Sequence, residues 1–268
     1  MAEETQYTAN TGIVNIATAN PNLDGTGTLG TVLTGASNGT LIKKVYIKAV
    51  SSTTQGIIRL YVDNRTTVQI IKEIEVPAIA PTGVTPSFEV ELDLNFDLQS
   101  TYFLKASTEK GESFNIIAEA IDWAYNSASV RKDTTQFTTN WGSAQLAIAN
   151  ANRDGTGTLY TVYTAGASAT FKGSSVKGIT LIDTGNVTDG MIRLYIDGNL
   201  GLGAFLFREI FVPASAISDI TKPFERNIDF SDNDFELQAG YSIKASTQVA
   251  EPYGFEVSVT GNDWKYLD

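Results

Sequence analysis

At 268 residues, with 42% hydrophobic and 18% charged residues, the chain is long enough for one large or two ordinary domains and apolar enough to build cores, which excludes a disordered chain. The net charge of −11 is shared by both halves, with 10 basic against 14 acidic residues in 1–132 and 9 against 16 in 133–268, so neither half offers the basic footprint of a nucleic-acid binder. Cysteine and histidine are both absent, which removes disulfides, thiol nucleophiles, the commonest general base and the commonest zinc ligand together.

Residues 1–6 carry Glu3 and Glu4 and no apolar run, unlike a secretory signal, and no stretch approaches the roughly 20 apolar residues of a membrane helix. The expectation is a soluble protein made in a cytosol, with no membrane partner.

In chain order, apolar and polar residues alternate with a period of two, and no window of useful length shows helical spacing. Eight strands are predicted in the first half, at roughly 11–19, 29–34, 41–49, 56–62, 68–76, 87–94, 102–107 and 114–123. The first two flank the Gly-rich block Asp24-Gly25-Thr26-Gly27-Thr28. A phosphate cradle would open a helix, whereas a strand follows here with no Lys nearby, and a calcium site would need more carboxylates at close spacing. Asp24, Gly25 and Gly27 therefore read as a structural turn, Gly supplying positive φ and Asp bonding its own backbone.

In 41–49 one face carries Leu41, Val45, Ile47 and Ala49, with Lys44 and Lys48 opposite. In the next strand Arg59 and Tyr61 lie on the face opposite Ile58, Leu60 and Val62, and Glu73 lies outward on the strand after it. These residues suit a cross-strand Arg–Glu pair on the outer sheet surface, or an interface anchored by Arg and Tyr. Lys105 falls between inward Leu104 and Ala106 and reads as a solvated outer-face lysine. Phe114, Ile116, Ala118 and Ala120 share the inward face of the last strand, and Trp123 closes it.

The second half repeats the first. Asp154, Gly155 and Gly157 return the turn block 130 residues on, Arg193 and Tyr195 follow at an offset of 134, Glu209 at 136, Lys244 at 139 and Trp264 at 141. The offset grows only between matched blocks, where surface connections absorb insertions cheaply, so the blocks are the strands of a duplicated domain. The second eight strands fall at roughly 143–149, 159–164, 174–183, 190–196, 205–212, 224–230, 241–246 and 255–264. The fold class is thus all-β: two tandem antiparallel β-sandwich domains from an internal duplication, residues 8–125 and 137–268, jelly-roll-like with an immunoglobulin-like sandwich as the alternative. A short polar connector around 125–133 joins them. Trp123 and Trp264 read as lids on a core edge rather than sugar-stacking platforms, and Trp141, which has no counterpart, is a candidate for packing at the junction.

Carboxylates are scattered over turns and outer faces, so no acid–base pair can be argued, and the reading is of a chain that is not an enzyme and carries no metal or cofactor.

The pattern Leu-Asp-Gly-Thr-Gly-Thr, then Gly-Ile-Ile-Arg-Leu, Lys-Glu-Ile with Val-Pro-Ala, Leu-Lys-Ala-Ser-Thr and Phe-Asn-Ile-Ile-Ala-Glu resembles small β-rich proteins from the structural-gene regions of tailed bacteriophages, including relatives of the crAss-like phages. The second copy departs from it with Phe-Glu-Val-Ser-Val-Thr in the last block. The resemblance implies a virion protein, an auxiliary or decoration protein of the head, partnered by other virion proteins such as the major capsid protein and by copies of itself. The alternative is a carbohydrate-binding or host-adhesion module of a tail or fibre.

Overall fold

The structure is a computed structural model describing residues 6–124, 135–168, 170–198, 201, 203–216, 223–230, 234–251 and 254–266. The expected connector around 125–133 lies outside the described residues. Among those residues there are strands and turns but no helix. The chain divides into two compact units, Met1–Ala80 with Ser87–Thr135 and Tyr266–Asp268, and Pro81–Pro86 with Gln136–Lys265.

The first unit holds β1 (Gln6–Ile16), β2 (Gly30–Thr34), β3 (Thr40–Ala49), β4 (Gly56–Asp63), β5 (Val68–Val76), β6 (Glu89–Leu98), β7 (Phe103–Thr108) and β8 (Phe114–Ala124). They form two sheets, β1-β8-β3-β6 and β2-β7-β4-β5. First strand pairs with last, second with seventh, third with sixth and fourth with fifth, all antiparallel. That is one long hairpin folded over into two layers, the jelly roll rather than the immunoglobulin order.

The second unit contains β9 (Thr135–Leu146), β10 (Tyr160–Thr164), β11 (Phe171–Asp183), β12 (Gly190–Asp197), β13 (Ala204–Val212), β14 (Glu225–Asp229), β15 (Phe235–Leu237), β16 (Ser242–Thr247) and β17 (Phe255–Tyr266). Its sheets, β14-β11-β17-β9 and β10-β16-β12-β13, follow the same order, with β15 also on β11.

The duplication extends to the irregularities. Register breaks fall between Thr31 and Leu33 and between Thr161 and Tyr163, between Ile42 and Lys44 and between Val176 and Gly178, and at Leu60/Tyr61 and Leu194/Tyr195. A bulge adds an unpaired residue and sharpens local twist, which is how a flat ladder is made to wrap a sandwich.

In the first unit the core lies between the sheets. Ile42, Val45, Ile47 and Ala49 of β3 and Phe114, Ile116, Ala118 and Ala120 of β8 meet Ile58 and Leu60 of β4 and Leu104 and Ala106 of β7, all fully buried. Burying each of the larger side chains is worth about 1.5–3 kcal/mol. Phe114 also meets Phe88 edge-on, ring centres 6.4 Å apart.

The structure corrects three details of the strand reading. The first strand of each copy begins earlier than expected, at Gln6 and Thr135, because a polar segment without clear alternation still pairs along the whole of its neighbour. In β3 it is Ile42, not Leu41, that enters the core, because the bulge at Lys43 reverses the alternation partway along the strand. The sixth strand of the second copy is split into β14 and β15, both pairing with β11.

Candidate functional site

The two sequence features singled out separately, the Gly-rich turn and the Arg/Tyr/Glu face, come together in one place. In each unit the long connection between the first two strands leaves its sheet and crosses the outer face of the other. In the first unit it touches β7 through Asn20 N donating to Thr108 O at 2.8 Å, and β4 through Tyr61 Oη donating to Asn22 O at 3.1 Å. It reaches β5 where Gly25 packs on Val68. In the second unit Asn150 N donates to Thr247 O at 2.7 Å and Tyr195 Oη to Asn152 O at 2.9 Å, while Gly155 lies on Ala204.

The connection is rigid for reasons its sequence supplies. Asp24 Oδ1 accepts from the Thr26 amide at 3.0 Å and the Thr26 hydroxyl at 2.6 Å, and Asp154 does the same with Thr156. Those hydroxyl bonds, with the amide bonds behind them, hold both carboxyls below their ordinary value. Asn20, 2% exposed, donates through Nδ2 to Thr26 O and Thr28 O and accepts the Asn22 amide on Oδ1. Asn150 repeats all three bonds. Gly27 and Gly157 adopt φ of 82° and 80°, and a Cβ at either would lie 2.7 Å from the Asn20 or Asn150 Oδ1. A side chain is thus excluded twice, by backbone conformation and by the amide beneath.

Under the connection Arg59, Tyr61, Arg193, Tyr195 and Glu209 are closed off, which corrects their reading as an outward, solvent-facing surface, while Glu73 does face solvent. Arg59 is 5% exposed, Arg193 1%, and Tyr61 and Tyr195 are fully buried. The cross-strand pairs form, Arg59 Nε to Glu73 Oε1 at 2.9 Å and Arg193 Nε to Glu209 Oε1 at 3.0 Å. Burial pushes the Tyr195 phenol above its ordinary pKa, against the Ser246 hydrogen bond and the Arg193 charge, so the hydroxyl stays a donor. With these side chains spent on the chain itself, Arg193 and Tyr195 are out of reach of a partner surface.

The copies differ in completeness. Arg193 Nη1 donates to Asn150 O at 3.0 Å, and Arg153 Nε adds a second cation to Glu209 at 2.8 Å. In the first unit Leu23 stands where Arg153 does and is 61% exposed, Glu73 is half-exposed, and Arg59 Nη1 is buried with no hydrogen-bond partner among the described residues. Sequence reasoning missed Asn20, Asn150 and Arg153. The first two had a signal, since both stand at the same place in the repeated block, but a buried amide is not recognisable until the loop is seen to close on it.

The lysines read as solvated are paired: Lys105 Nζ lies 2.6 Å from Asp63 Oδ2 and Lys244 Nζ 2.6 Å from Asp197 Oδ2. Trp264 is fully buried, Trp123 half-buried and Trp141 61% exposed. Not every carboxylate is superficial. Glu119 is fully buried against Lys43 at 3.3 Å and Tyr46 at 3.2 Å. Among the described residues no group of three or more acidic side chains is arranged to hold a metal ion.

No protein-family model matches the sequence, and no curated protein matches it. Solved structures do show likeness, at 10% identity to the STIV MCP, a viral capsid protein (98% of this chain and 97% of that one, TM-score 0.28). The tandem CBM22-1-CBM22-2 domain of Paenibacillus barcinonensis Xyn10C is 13% identical over 98% of this chain and 93% of that one, at a TM-score of 0.24. PNGase F, a glycosylasparaginase from Flavobacterium meningosepticum, is 11% identical over 96% of both chains at a TM-score of 0.25. These are likenesses of fold, and they correct one expectation. Because an amidase is among the structures this chain is similar to, the reading of the chain as not an enzyme does not stand.

Proposed function

We propose that the chain is a structural protein of a virus particle, an auxiliary or decoration protein bound to the capsid of a tailed bacteriophage. The observation that carries this reading is the repetition, in one chain, of a jelly roll with the same strand order, the same bulges and the same loop clamped across the same sheet. Each copy invests its Arg, Tyr and Asn side chains in stiffening one body. A chain made of two like, stiff bodies can occupy two quasi-equivalent positions on a lattice, and three such chains give a six-fold arrangement of domains. The resemblance of its repeated blocks to phage structural-region proteins supports the same reading. Its partners in this role are the major capsid protein and further copies of itself.

The test is to purify virions of the phage that encodes the chain and look for the protein by mass spectrometry and for its density by cryo-electron microscopy. Stoichiometric protein with paired jelly-roll density on the head is the expected result. Virions that lack the protein would overturn the proposal.

A further inference from the structure

We infer that the open depression beside Trp123 is a carbohydrate-binding site, kept open in the first unit and closed in the second. This inference is independent of the virion role, since a sugar could be bound on or off a particle.

The depression, about 610 Å³, lies between the β2–β3 connection and the β6–β7 turn and is lined by Asn38, Thr40, Asp97, Gln99, Ser100 and Trp123. Its volume is in the range of small-molecule sites. The Trp123 amide donates to Gly39 O at 3.1 Å, which fixes the end of β8 against the loop. Gly39, at φ 94°, has no side chain to fill the space beside the indole, where a Cβ would come within 3.9 Å of Trp123 Cδ1.

Around this half-buried ring stand Asn38, Asp97 and Gln99, all exposed, and among the described residues none of their side chains has a hydrogen-bond or ion-pair partner. An indole offers a flat apolar face with one N–H. Two amides and a carboxylate offer donors and acceptors in the mixture that ring hydroxyls require. The apolar C–H face of a pyranose stacks on the first while its hydroxyls reach the second. An anionic ligand would meet Asp97, and a purely cationic one would leave the amide donors unused.

In the second unit the counterparts of Trp123 and Asp97 are buried. The β3 residue opposite Asp122 is Thr40, and the β11 residue opposite Asp263 is Ser174. Thr34 to Thr40 thus corresponds to Thr164 to Ser174, a connection four residues longer. This is where the repeat offset steps from 130 to 134. In that unit Trp264 is fully buried. Glu236, the counterpart of Asp97, is 7% exposed and accepts from Ser175 Oγ at 3.1 Å. Duplication followed by one loop change thus left a tryptophan and three uncommitted polar groups facing solvent in one copy alone.

The experiment uses the whole chain on an array of immobilised oligosaccharides, followed by titration of each retained glycan in free form against tryptophan fluorescence. Retention of a set of related glycans is expected, with affinity lowered about tenfold or more by Trp123→Ala and by Gln99→Ala, and unchanged by Trp141→Ala. The Gln99 side chain is exposed and without partners, and its backbone bond from the Tyr102 amide is kept in alanine, so its variant keeps the fold if Trp123→Ala does not. An array with no retained glycan would overturn the proposal. So would binding that Gln99→Ala and Asp97→Ala leave intact, or retention confined to amino sugars and abolished by salt.

Discussion

Glu209 Oε1 lies 3.0 Å from Arg193 Nε with both side chains closed to solvent, whereas the matching pair in the first unit leaves Glu73 half in water. Removing one partner of a buried ion pair strands the other charge in a poor dielectric, at a cost of about 3–5 kcal/mol. Glu73 is half in water, so water can take its place beside the buried Arg59 and its loss costs less. Glu209→Ala also takes the carboxylate from Arg153. In urea denaturation Glu209→Ala is expected to lower the unfolding midpoint several times more than Glu73→Ala. Equal shifts would mean that the burial difference between the copies has no energetic consequence.

Gly25 and Gly155 hold the same place in the repeat and the same positive φ, 77° and 78°, yet a Cβ would meet different things. At Gly25 it lies 2.5 Å from the Val68 side chain, and at Gly155 1.8 Å from the Ala204 carbonyl oxygen. Rotation about χ1 relieves neither contact, since Val68 Cβ is fixed to its own backbone, but the overlap at Gly155 is much the deeper and falls on a carbonyl held in a strand ladder. Both alanine variants carry the about 1–2 kcal/mol cost of left-handed backbone, and Gly155→Ala adds the closer collision. Thermal melts should place Gly155→Ala well below Gly25→Ala. The reverse order would contradict the seating of the second loop on β13.

How far the sequence reached is visible in these residues. Period-two alternation located the cores of both units because Phe114, Ile116, Ala118 and Ala120 in the first, and Phe255, Val257 and Val259 in the second, follow it without interruption and are buried. It failed at Leu41 because a bulge changes parity and leaves no mark in composition. Alternation also assigned Arg59 and Tyr61 correctly to the side away from the core, but could not say that the side is roofed. That depends on a connection some 40 residues upstream crossing three strands, a relation of topology and not of local pattern. The insertion that separates Trp123 from Trp264 was legible as a step in the repeat offset, although its consequence for exposure was not.

Asn150 Nδ2 donates to Thr156 O and Thr158 O while its Oδ1 accepts the Asn152 amide. Asn150→Ala removes three partly buried hydrogen bonds from the loop, for a loss of about 3 kcal/mol at about 1 kcal/mol per bond. Asn150→Asp keeps the shape and the acceptor but aims a carboxylate oxygen at two carbonyls. It should destabilise at least as much as alanine at neutral pH. Were aspartate tolerated better than alanine when the two are compared by chemical denaturation, the amide would not be acting as the donor that closes the loop.

Asp63 and Lys105 supply a test in pH. The Lys105 hydrogen bond, 2.6 Å long, and then the Arg65 amide hold the Asp63 carboxyl below its ordinary value of 3.8. A carboxyl whose pKa is lower in the folded than in the unfolded chain contributes stability above the unfolded value. That contribution fades as pH falls through the folded one. Asp63→Asn should therefore melt below the wild type at pH 7, by an amount corresponding to about 1 kcal/mol for a partly exposed pair. The gap should persist to about pH 4 and close at lower pH. Acid destabilisation from the other carboxylates is common to both proteins and cancels in the difference. Melts recorded from neutral pH down to pH 2.5 or so decide the matter: a gap that stays constant across that range would show that the lost contribution is packing or the Arg65 turn rather than the charge on Asp63.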